Sequence, residues 1–156
     1  MTDIDNKKRV VILGGGMSGI GDAMLAIQYG YDVFLSDGGV LKEAFAKALQ
    51  DKHIPHEAGG HDMKQILNAD IVVKSPGIPD TAAVVQKILN AEIPVVSEIE
   101  FASRFTDETK IAITGSNGKT TVTSLIGHLF QVANLDATIG GNIGHSFATQ
   151  LTEGTA

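Results

Sequence analysis

The 156-residue sequence has no cysteine and no tryptophan, and aromatic residues make up only 5% of it. Without cysteine there is no disulfide framework and no thiolate metal site, which suits a reducing compartment. Long apolar runs are missing as well: nothing approaches the ~20 consecutive apolar residues a membrane-spanning helix needs. The opening residues, MTDIDNKKRVVILGGGMSGIG, put Asp3 and Asp5 where a secretory leader would be basic, and glycines interrupt the apolar stretch. A cytoplasmic chain without membrane insertion is expected. Positive charge is in deficit too. A formal net charge of −6 argues against a nucleic-acid partner, because binding to a phosphate backbone rests on a basic face. No internal repeat or low-complexity segment is evident.

What is present is an ordinary globular share of apolar residues, 43%, and an excess of glycine, 18 residues gathered in a few clusters. Clustered glycine points to tight turns close to ligands. The length suits one well-cored domain and falls short of two complete α/β domains.

The apolar run Arg9–Leu13 predicts a strand buried on both faces, and Ile20, Met24 and Ile27 predict a helix over Ser18–Tyr29. Further strands are expected at Tyr31–Leu35, Ile54–Glu57, Ile71–Val73 and Pro94–Val96. Helices are expected at Leu41–Gln50, Met63–Leu67, Thr81–Asn90 and Glu98–Phe105. Strands alternating with helices imply right-handed βαβ units and a parallel sheet. After the polar stretch Thr106–Thr109 the cycle restarts with a strand at Lys110–Ile113. A helix over Lys119–Val132, a strand near Ala137–Ile139 and a helix at His145–Leu151 follow. This predicts a Rossmann-like domain over residues 1–106 and the opening part of a second α/β domain, of the P-loop ATPase kind, over 107–156.

Two glycine clusters carry chemistry. Gly14-Gly15-Gly16-Met17-Ser18-Gly19 fits G-x-G-x-x-G between a strand and a helix, and Asp37 ends the next strand. Such a loop brings backbone close to a ligand and offers it the free N–H groups and positive dipole end of a helix. An acid after the second strand accepts from a ribose hydroxyl or a base N–H. These residues leave three readings open: a dinucleotide cofactor, another nucleotide, or a turn whose glycines only permit close packing. The second cluster, Gly115-Ser116-Asn117-Gly118-Lys119-Thr120, places Lys-Thr at a helix start. Its backbone N–H groups can surround phosphate oxygens, Lys119 adds a point charge, and the Thr120 hydroxyl can reach Mg²⁺. The usual pattern has a glycine where Ile113 stands, so the loop is a shortened variant. A hydride-transfer enzyme has no need of this second loop.

The segments VVILGGGMSGIG, DIVVKSPGIP, IAITGSNGKTTVTSLI and GGNIG, in this order, resemble the Mur ligases, in particular the members that add D-glutamate. The resemblance covers nearly the whole chain. It implies an ATP- and Mg²⁺-dependent ligase of peptidoglycan precursor synthesis, adding D-glutamate to UDP-N-acetylmuramoyl-L-alanine through an acyl phosphate. It also implies that Met17, Ser18, Asp37, Gly77 and Asn142 contact the UDP substrate. Gly115, Ser116, Asn117, Gly118, Lys119, Thr120 and Thr121 would form the ATP loop, with Lys119 offsetting charge on the transferred phosphoryl group and Thr120 on Mg²⁺. The remaining Mg²⁺ ligands and the D-glutamate domain would lie further along, so the chain is expected to be an inactive N-terminal piece of a longer enzyme. Gly38-Gly39 departs from the more polar residues common after the acid, and His145-Ser146 from the pair common after GGNIG. Among smaller signals, His53, His56 and His61 read as a solvated loop, Glu98 and Glu100 as a solvated helix face, and Lys74 as a strand-end lysine.

Overall fold

Val10, Val11, Ile12 and Leu13 are fully buried, so β1 (Arg9–Leu13) runs through the middle of the molecule. The computed structural model describes residues 7–141 and 145–154. Around β1 stand β2 (Asp32–Asp37), β3 (His56–Ala58), β4 (Ile71–Lys74) and β5 (Val95–Ser97), all parallel, in the order β3-β2-β1-β4-β5. The register pairs Val11 with Phe34 on one side and with Val72 on the other. The expected parallel sheet is therefore present.

Alternation along β1 feeds two layers, as the two-residue period of a strand requires. Val10 and Ile12 join Val33, Leu35 and Val73 beneath α1 (Met17–Gln28), α2 (Glu43–Asp51) and α5 (Glu98–Ser103), through Ala23, Leu25, Ala26, Leu49 and Phe101. Val11 and Leu13 face the other way, with Phe34 and Val72, against Ile66 of α3 (Met63–Ile66) and Val84, Val85 and Ile88 of α4 (Ala83–Asn90). Burial of both faces explains why the strands read as continuous apolar runs. The scarce aromatics concentrate at one spot: Phe101 lies edge-on to Tyr31 and Phe105 at 6.1 and 5.1 Å, holding α5 to the sheet.

The last part differs from expectation. The helix α6 (Lys119–Val132) forms, but no residue of it is buried, and Val122, Leu125, Leu129 and Val132 make an exposed apolar stripe. The strands expected at Lys110–Ile113 and Ala137–Ile139 are absent, and Ile111 is exposed. β-branched sequence alone does not make a strand; its backbone groups need a neighbouring ladder, and no described segment offers one there. The opening of a P-loop domain is thus not seen as a folded unit. The final helix, α7 (Phe147–Glu153), lies on α1 and α5, with Ala148 buried in the first layer. Gly21 permits this approach: a Cβ there would sit 2.5 Å from Ser146 Oγ and 2.6 Å from Thr149 Oγ1.

Candidate nucleotide site at the sheet edge

The strand order sets the site. The chain runs outward from β1 through β2 to β3, then returns to the other side for β4 and β5. In an open parallel sheet, the crevice beyond the carboxyl ends of strands flanking such a reversal is where ligands bind. Here those ends are Gly14–Gly16 after β1 and Ser75–Gly77 after β4. They are in close contact: Gly14, at φ +99°, presents a face where a Cβ would lie 2.6 Å from Ser75 Oγ.

Each glycine of the first loop has its own duty. A Cβ on Gly19 would come within 1.9 Å of the Gly14 carbonyl oxygen, so α1 can rise from the loop only without one. A Cβ on Gly15 would strike Leu41. Gly16, by contrast, has open space around it, and it caps α1 without any side-chain hydrogen bond. The first N–H groups of this 12-residue helix are therefore unclaimed by a side-chain cap, beside a Gly16 with open space around it, and no acidic residue stands in the first turn. That is the local chemistry of an anion site. Met17 (54% exposed) and the half-buried Ser18 occupy this first turn, and Gly77 is exposed on the facing turn.

Asp37 ends β2 and ties the neighbouring loops together. Its Oδ2 accepts from the Gly15 N–H at 2.5 Å, and its Oδ1 from the Gly39 N–H at 2.7 Å. A carboxylate has about four acceptor sites, so two remain for a ligand donor. Lys74 is committed elsewhere: its Nζ donates to the Ile78 carbonyl at 2.7 Å and lies 3.2 Å from Asp80, bracing the Ser75–Pro79 turn.

The second glycine cluster opens α6. Gly118, at φ +77°, is the N-cap, without a side-chain cap, and Lys119 Nζ donates to the Gly115 carbonyl. Residues Gly115 to Thr121 are all exposed. The backbone turn and residue types suit a phosphate; the strand that would brace the loop is absent. No cluster of three or more metal-ligating side chains occurs among the described residues. Asn142 lies outside the described residues.

Two features were not legible beforehand. Glu98, expected on a solvated face, is only 7% exposed, and Asp22 of α1 is 1% exposed. Both line a closed seam with Ser18, Ser146 and Phe147, and Asp22 Oδ1 and Glu98 Oε2 lack partners among the described residues. Burial, and secondly the Glu98 charge, push the Asp22 carboxyl up to about 8. His61, expected in a solvated loop, is half-buried and lies at hydrogen-bond distance from Ser36.

Comparison with known proteins places the chain in a family. Residues 8–97 match the family described as "Mur ligase MurD-like, N-terminal domain". The chain is 51% identical over 146 residues to UDP-N-acetylmuramoylalanine–D-glutamate ligases of Christiangramia forsetii and Bacteroides thetaiotaomicron, covering 94% of this chain and 33% of each relative. It thus spans about a third of the length of these relatives. Among solved structures, the UDP-N-acetylmuramate:L-alanyl-γ-D-glutamyl-meso-diaminopimelate ligase of Neisseria meningitides aligns with a TM-score of 0.60 and 25% identity, over 90% of this chain and 46% of that one. The glycine-lined switch-point crevice and these matches lead to one conclusion: the chain belongs to the Mur ligase family, with a MurD-like N-terminal domain.

Proposed function

We propose that this chain forms the UDP-substrate-binding part of a ligase that joins D-glutamate to UDP-N-acetylmuramoyl-L-alanine at the cost of ATP, in cytoplasmic peptidoglycan precursor synthesis. The observation that carries the reading is the uncapped α1 N-terminus, open around Gly16, at the carboxyl ends of the strands flanking the order reversal, in a chain half-identical to proteins named for that activity. The diphosphate sits against the first-turn N–H groups of Met17 and Ser18, Asp37 accepts a donor from the nucleoside, and Gly77 lines the opposite wall. Asn142 is assigned to the same substrate by the family resemblance alone. Residues 1–106 are assigned to the substrate domain and 107–156 to the start of the ATP domain, the last helix α7 of which packs here on the first layer.

The turn Gly115–Thr121 suits a triphosphate in residue type and in the left-handed Gly118. Its backbone and Lys119 would hold phosphate oxygens, and the Thr120 hydroxyl would face Mg²⁺. When bound, ATP supplies the phosphoryl group that turns an unreactive carboxylate into an acylating one. Lys119 then balances charge on that group by position alone. With the stripe Val122, Leu125, Leu129 and Val132 uncovered, this stretch lacks the packing that would preorganise it, and the chain by itself is inactive. D-Glutamate contacts are assigned to the part of the longer relatives that this chain does not span.

Thermal denaturation tests the reading. A ligand at 100 times its dissociation constant adds about 2.7 kcal/mol, roughly 5–10 °C for a domain of this size. UDP-N-acetylmuramoyl-L-alanine is expected to raise the midpoint and NAD⁺ to leave it unchanged. The opposite pattern defeats the proposal in favour of a hydride-transfer enzyme.

A further inference from the structure

Ser36 is fully buried at the end of β2, and its hydroxyl makes two contacts of 2.7 Å, one to Glu57 Oε1 and one to His61 Nδ1. A hydroxyl has one proton, and Glu57 takes it. Ser36 Oγ can therefore only accept from His61, so Nδ1 carries the proton. In the neutral ring Nε2 then bears a lone pair. Glu57 is itself held, accepting the Asp62 N–H at 2.8 Å, so the chain from Glu57 through Ser36 to His61 is anchored at its Glu57 end.

The ring is delivered to the same rim as Asp37. The loop after β3 is pinned to the turn after β2 by the Gly59 N–H, which donates to the Gly39 carbonyl at 2.7 Å. His61 Nε2 fills the space left by the missing side chain of Gly38, 3.0 Å from where a Cβ would stand. Gly38 adjoins Asp37, whose Oδ2 holds the Gly15 N–H of the phosphate loop. Nε2 itself has no hydrogen-bond partner among the described residues and is not a buried atom. A half-buried imidazole with its tautomer fixed from behind and the Nε2 end of its ring against a glycine turn has more order than a solvated loop needs.

We propose that His61 is a binding residue for the nucleoside end of the ligand, its Nε2 accepting from the imide N–H of the base or from a ribose hydroxyl, with Ser36 and Glu57 as positioning residues. This rests on the proposed function and names a contact within it. The test is calorimetric titration of the chain and of His61→Phe with UDP, 3-methyl-UDP and 2′-deoxy-UDP, circular dichroism confirming the fold of the variant. One hydrogen bond corresponds to a loss of about 3- to 10-fold in affinity. His61→Phe is expected to weaken UDP by that factor. The unaltered chain should weaken likewise for the one analogue lacking the donor, and the variant should not discriminate that analogue from UDP.

Equal UDP binding by both chains, or a loss in the variant that neither analogue reproduces, overturns the assignment of His61 and leaves the proposed function standing. Absence of UDP binding by the unaltered chain removes both. Imidazole ¹⁵N resonances keep the question open to decision if the variant fails to fold. Nε2 should be unprotonated in the free neutral ring and move on addition of UDP, whereas a protonated Nε2 or an unmoved resonance rejects the proposal.

Discussion

Replacing Asp22 with Asn should make the protein more stable as pH rises relative to the unaltered chain. Asp22 is buried against Glu98 and keeps its proton up to about 8, whereas the ordinary carboxyl value is 3.8. Between these values the folded chain holds a proton that the unfolded chain releases. The group's contribution is thus fully present below about 3.8 and declines as pH climbs toward 8. At full linkage the slope is about 1.4 kcal/mol per pH unit, or roughly 3 kcal/mol from pH 5 to pH 7, a sizeable part of the stability of any domain. The Asn side chain keeps the shape, cannot ionise, and brings an N–H₂ to a seam where Glu98 Oε2 has no partner. Urea denaturation of both chains at stepped pH isolates the effect as a difference in midpoints, growing by on the order of 1–3 M over that range. Glu98→Gln should end the decline at a lower pH, because it removes the second cause of the shift. Parallel curves for the two chains, or a difference that shrinks as pH rises, would refute the reasoning.

Gly19→Ala would force a Cβ against the Gly14 carbonyl oxygen. It should destabilise by about 1–3 kcal/mol and weaken UDP binding, read by the denaturation midpoint and by calorimetry. Lys119→Ala, at an exposed position, should leave the stability of this chain within about 0.5 kcal/mol. On the proposed function, the same change in a ligase that contains this chain should lower kcat by roughly 10²–10³-fold, measured by phosphate release. Gly21→Val would insert atoms between α1 and the Ser146 cap of α7. Hydrogen exchange over 147–153 should rise, with a stability loss of about 1–3 kcal/mol.

The first part of the fold was legible because its signals are local. RVVIL must be a strand buried on both sides, and the spacing of Gly14, Gly16 and Gly19 before an apolar-periodic helix leaves few backbone solutions. Element ends moved by a residue or two, as with β2, which reaches Asp37 rather than stopping at Leu35. What failed depends on contacts distant in sequence. IAIT has strand composition, yet a strand exists only beside another, and the described residues supply none there. Glu98 follows the N-cap Ser97 and reads as a first-turn acid facing water; only the packing of α1, α5 and α7 reveals its burial. His61 reads as a loop residue beside glycines, and its order comes from a serine 25 positions earlier. The Asp37–Gly15 bond was half visible: the acid and the loop were each expected in the site, their mutual contact was not. α7 was expected at the end of a second unit and lies instead on the first layer.

A crystal structure of this chain with UDP would test the central claim, that the crevice at the strand-order reversal holds the diphosphate. The account predicts phosphate oxygens within hydrogen-bond reach of the backbone N–H groups of Met17 and Ser18, with the nucleoside beside Asp37. Phosphates seated on Gly115–Thr120, with the α1 N-terminus facing only solvent, would contradict it.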